Sequence, residues 1–137
     1  MTSNDADQGD TAVRAAWAWW RSIGSPTRVC APMVRASELA FRMLVRTHGC
    51  ELCYTPMISA RAFLAMTDAD RELFVERHSQ DRPLIVQFCT NSPDEFLAAA
   101  IAAQHLCDAI DLNLGCPVDL GRGYGAILAE QEPDLCC

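Results

Sequence analysis

Residues 83–88 read Pro-Leu-Ile-Val-Gln-Phe, and residues 108–117 read Asp-Ala-Ile-Asp-Leu-Asn-Leu-Gly-Cys-Pro. The first run is apolar on both faces, which fits a strand covered on two sides rather than one. Between the two runs, Ser92-Pro93-Asp94-Glu95 opens a helix: Ser92 caps, Pro93 takes the first position, and Glu95 completes a capping box. That helix runs to about Leu106 and is expected to bury Leu97, Ala100 and Ile101. A two-sided strand, an amphipathic helix and another apolar strand in succession imply a parallel sheet covered by helices.

The same alternation extends toward the amino terminus. Val29 to Met33 is a short strand stopped at Pro32. Ser37 is placed to cap a helix from Glu38 to about His48, with Leu39, Met43 and Leu44 on one face and Gly49 as its stop. Glu51 to Thr55 reads as a second strand ended by Pro56, and Ser59 to Met66 as a short helix. Thr67 to Asp81 is charged and reads as surface, and a last helix is expected near Gly125. The fold class is therefore α/β, with four β/α units within residues 29–132. A complete eight-stranded α/β barrel needs ~250 residues, so length excludes one here. Upstream, Ala12 to Ile23 is Ala- and Trp-rich and fits a helix packed on the domain's flank, ended by Gly24-Ser25-Pro26. The expected organisation is a disordered tail at 1–11, a helix and linker at 12–25, and the α/β segment at 26–137.

Composition limits the function classes. Half of the 137 residues are hydrophobic and 21% are charged, a mixture that builds a core. No apolar run reaches ~18 residues, so no membrane-spanning helix is expected. The polar, acidic start lacks the features of a secretory signal, and the expected compartment is the cytoplasm, with the nucleus second. All 11 basic residues are Arg, so Schiff-base and P-loop mechanisms have no lysine to use. The net charge of −7 argues against gripping nucleic acid by electrostatics alone. The eight cysteines lie mostly in apolar runs and read as reduced, buried thiols. Cys50-x-x-Cys53 has half the spacing of a zinc site but no second pair, so packing is expected there and no metal.

In parallel α/β folds, chemistry gathers at the carboxyl ends of the strands. The positions that rule selects are Pro32-Met33, Thr55-Pro56-Met57, Gln87 and Asn113 to Cys116. These strand ends carry a family likeness. Ala31-Pro32-Met33, Tyr54-Thr55-Pro56-Met57-Ile58, Leu84-Ile85-Val86-Gln87 and Asn113-Leu114-Gly115-Cys116-Pro117 follow one another in an order and spacing that resemble the tRNA-dihydrouridine synthases. The Tyr-Thr-Pro-Met form, Asp81-Arg82-Pro83 before the third strand, and Asp108 to Asn113 before Gly-Cys-Pro look like the eukaryotic branch acting at tRNA positions 16 and 17.

The resemblance implies an FMN-binding (β/α)8 TIM barrel followed by a helical RNA-binding domain. NADPH is the reductant and tRNA the substrate. Pro32, Met33 and Val34 would line the flavin, Gln87 would bond its pyrimidine edge, and Asn113 would contact flavin or uracil. Cys116 would be the catalytic general acid. The chemistry agrees: hydride addition to one alkene carbon leaves the other needing a proton. A thiol with a pKa of ~8.5 stays protonated at neutral pH and can supply it. Gly115 permits close approach of the backbone to a ligand, and Pro117 stiffens the loop.

Two features depart from the pattern. Val34-Arg35-Ala36 puts a cation beside the site, and the loop from Val118 to Gly125 is short and lacks a lysine before Arg122. The resemblance also implies four further strands and an RNA-binding domain beyond these units. The chain is therefore expected to be the amino-terminal half of the barrel, inactive alone, with an exposed sheet edge prone to self-association. The alternative is a non-catalytic half-barrel acting by binding or oligomerisation. A dihydroorotate- or enoate-type FMN barrel is disfavoured by the cysteine in Asn-Leu-Gly-Cys-Pro.

Overall fold

The computed structural model describes residues 3–115 and 133–135. Its elements are α1 (Ser3–Ser22), β1 (Val29–Cys30), α2 (Leu39–Thr47), β2 (Leu52–Tyr54), β3 (Ile58–Ser59), α3 (Ala60–Leu64), α4 (Asp68–Val75), β4 (Leu84–Cys89), α5 (Pro93–Ala103) and β5 (Ala109–Leu112), with a 3-10 turn at Pro133–Leu135. All strand pairings are parallel. The expected parallel α/β sheet is therefore present.

The register defines two faces. Tyr54 pairs with Ile85 and Ile85 with Ala109, while Gln87 pairs with Asp111. Side chains alternate along a strand, so these residues share one face. Leu84, Val86 and Phe88 take the other and join Cys53, Phe63, Ala99, Ala103 and Leu106 in the main core. Phe63 meets Phe88 edge-on with ring centroids 5.1 Å apart, an arrangement favoured by the aromatic quadrupole.

The second strand is broken. Both β2 and β3 pair with β4, at Cys53–Leu84 and at Ile58–Phe88. Pro56 has no N–H to give the ladder, and the chain spends one extra residue between the two pieces. On its other side β4 pairs with β5, and among the described residues β5 has no further strand neighbour.

Helix α1 spans Ser3–Ser22; the acids Asp5 and Asp7 suit the positive end of a helix dipole. Several expectations are corrected. Ser37 does not cap α2. Its buried hydroxyl accepts from the Met33 N–H at 2.9 Å and donates to the Met33 carbonyl at 3.1 Å, while Glu38 takes the cap position. Leu44 points outward, and the buried residue of α2 is Arg42. Asp81, read as surface, is also fully buried. In α5 the inward residues are Ala99 and Ala103, with Leu106 buried in the turn that follows, whereas Leu97 and Ile101 are exposed. Residues 96–103 are all apolar, so helical periodicity does not select a face there. The helix expected near Gly125 lies outside the described residues.

Other local readings match. Gly49 ends α2 at φ +90°, a conformation suited to glycine. Ser92 caps α5 by accepting from the Glu95 N–H at 3.3 Å. Glu95 does not close the box back onto Ser92. Its carboxylate accepts from the Thr90 hydroxyl at 2.8 Å and from Arg61 at 2.9 Å, tying α3 to α5.

Candidate functional site

At the carboxyl end of β4, Gln87 is buried and held at both ends. Its backbone N–H donates to Thr55 Oγ1 at 3.2 Å, and its side-chain Nε2 donates to Asp111 Oδ2 at 2.8 Å. Thr55 Oγ1 in turn donates to the Pro56 carbonyl at 2.9 Å. The break at Pro56 thus helps aim a hydroxyl at the third strand of the sheet.

Asn113 follows β5 directly. Its backbone N–H donates to the Phe88 carbonyl at 2.8 Å, so it sits beside the residue after Gln87. Its side chain spans two segments: Nδ2 lies 2.6 Å from Met57 Sδ, and Oδ1 accepts from the Gly115 N–H at 3.1 Å. Strands β2, β4 and β5 therefore deliver Thr55, Met57, Gln87, Asp111 and Asn113 to one end of the sheet. Tyr54 shares the face of Gln87, and burial, then the negative charge of Asp111, pushes its phenol above the usual range.

The residues after β1 stand apart from this cluster. Val34 lines a cleft of about 480 Å³ with Arg35, Thr55, Met57, Phe74 and Glu76. Arg35 enters it from a left-handed backbone conformation, φ 61°. Met33 lines a different, shallow hollow with Cys30, Phe41 and Cys50. Neither hollow includes Gln87 or Asn113 among its described lining residues. The structure thus sets Gln87 and Asn113 at the ends of adjacent strands and links Asn113 to Met57, which lines one cleft with Val34. Cys116 lies outside the described residues.

Thr55 was among the strand-end positions selected from the sequence, whereas Asp111 and Tyr54 were not singled out as site side chains. The alternation in Asp108 to Leu112 puts Asp111 on one face of its strand, but only the register places that face beside Gln87.

The Cys50 and Cys53 sulfurs are 3.7 Å apart, and Cys50 also contacts the Leu52 carbonyl. Burial pushes the Cys53 thiol up to about 12, which disfavours the nucleophilic thiolate.

With this geometry in place, comparison with known proteins is informative. The family model described as dihydrouridine synthase matches residues 29–137. A Rattus norvegicus protein named tRNA-dihydrouridine(16/17) synthase-like is 53% identical over 116 residues, covering 82% of this chain and 26% of its own length. The Saccharomyces cerevisiae tRNA-dihydrouridine(16/17) synthase is 48% identical over 113 residues, covering 80% of this chain and 27% of its own. A Homo sapiens tRNA-dihydrouridine(20a/20b) synthase-like protein is 45% identical over 114 residues. The chain spans about a quarter of the length of the first two relatives.

Proposed function

The chain belongs to the dihydrouridine synthase family, and on that premise we propose that it forms the first four β/α units of an enzyme reducing uridine to dihydrouridine in tRNA, at positions 16 and 17. The observation that carries this reading is the pair of amide side chains, Gln87 and Asn113, at the carboxyl ends of adjacent parallel strands. FMN, reduced by NADPH, is the group proposed to supply the hydride for the uracil C5–C6 double bond.

The donor set suits that group. The glutamine side-chain carbonyl can accept from an imide N–H, and Asn113 adds a second amide on the neighbouring strand. Gln87 and Asn113 would hold the ring edge, and Pro32, Met33 and Val34 would supply apolar surface. Cys116 gives its proton to the alkene carbon that receives no hydride. The four units alone lack the remaining half of the cofactor site, so the isolated chain is inactive in this reading.

A chimera tests it. These residues replace the matching segment of the yeast relative in a strain lacking dihydrouridine at positions 16 and 17. The reading predicts that the modification returns, and that Cys116→Ala abolishes it while flavin is retained. A folded, flavin-loaded chimera that makes no dihydrouridine refutes it.

A further inference from the structure

Asp111 has no part in the chemistry above, yet among the described residues it is the side chain that holds the Gln87 amide. Its Oδ2 lies 2.8 Å from Gln87 Nε2, and the two residues are register partners on β4 and β5. A carboxylate only accepts hydrogen bonds, so the group turned toward Asp111 has to be the amide NH2. That fixes the other end. Gln87 Oε1 faces away from Asp111 and accepts from none of the described side chains or backbone groups. The backbone of Gln87 is pinned as well, by Thr55 Oγ1 at 3.2 Å, so strand and amide are both held.

We propose that Asp111 is a positioning residue that locks the Gln87 amide in one of its two orientations, so that the site presents a carbonyl oxygen and selects a ligand edge bearing an N–H donor. The inference rests on the flavin reading and deepens it: the bonded atom is a ring imide N–H, and a ring edge offering only acceptors is rejected. Without Asp111 the amide is free to turn over, and the selection is lost although Gln87 remains.

Flavin fluorescence titrations of the chimera described above, stripped of its flavin, with lumiflavin and with 3-methyllumiflavin test this, the chimera with no further substitution serving as wild type. The second probe differs by a methyl in place of the imide hydrogen. Wild type is expected to prefer lumiflavin by about tenfold, the scale of one hydrogen bond whose partner is left unsatisfied. Asp111→Leu and Gln87→Leu are each expected to remove the preference. The double variant should be no worse than Gln87→Leu, because Asp111 acts through Gln87. Asp111→Asn keeps an acceptor oxygen and should restore part of the preference, which a purely structural role would not produce. Circular dichroism checks that each variant is folded. An undiminished preference in folded Asp111→Leu, or equal binding of both probes by wild type, overturns the inference alone. Binding of neither probe by wild type overturns the flavin reading and the inference with it.

Discussion

Arg42 Nε lies 2.7 Å from Asp81 Oδ2, and both side chains are almost completely removed from solvent. Arg46 Nε takes the other carboxylate oxygen at 2.8 Å. The remaining guanidinium nitrogens donate to backbone carbonyls, Arg42 to Ser37 and Glu76 at 2.9 Å each, and Arg46 to Pro83 at 2.7 Å. One buried carboxylate thus joins α2 to the end of α4 and to the entry of β4, the strand that carries Gln87.

Removing that carboxylate leaves two cations without their anion. Asp81→Ala is expected to destabilise the chain by roughly 3–5 kcal/mol, the cost of breaking a buried pair by deleting one partner. Urea denaturation followed by circular dichroism measures it, and a loss below about 1 kcal/mol contradicts the assignment.

Glu51 gives a pH signature. Its carboxylate accepts from the Thr27 and Arg28 backbone N–H groups at 2.7 and 3.0 Å, and these bonds lower its pKa from 4.5 to about 2. The folded state holds the charged form, so the stabilisation is complete above the unfolded value and is lost as pH falls from 4.5 toward 2. Glu51→Gln should flatten the stability profile in that window and leave its slope unchanged near neutrality. An unaltered acid limb in the variant argues against the linkage.

Ser92→Ala tests the start of α5. Losing the side-chain bond to the Glu95 N–H should cost about 1 kcal/mol, the usual value of an N-cap, read from the shift of the thermal midpoint.

Phe88→Ala tests the core behind the site. The ring is fully buried against Phe63, so its truncation should cost about 3–5 kcal/mol by chemical denaturation. Phe88→Leu should cost markedly less, because more of the volume stays filled.

Thiol reactivity separates neighbours on one segment. Cys53 is fully buried with its pKa pushed up to about 12, whereas Cys50 is partly exposed. Iodoacetamide near pH 8 should label Cys50 well before Cys53, with mass spectrometry of the peptides as readout. Equal rates contradict the burial of Cys53.

Much of this was legible in the chain itself. Pro83 to Phe88 is apolar on both faces, and only a strand covered on both sides tolerates that pattern; the cap at Ser92 and the stop at Gly49 are local chemistry that neighbouring residues already specify. Those signals gave the parallel α/β class, and the ordered strand-end motifs gave the family. Tertiary structure decided the rest, because it depends on what lies opposite. Asp81 looks like a surface acid until α2 brings Arg42 and Arg46 to it. Leu97 and Ile101 look like core until the small Ala99 and Ala103 turn out to face the sheet. Asp111 becomes a partner of Gln87 only through a strand register that no local propensity encodes.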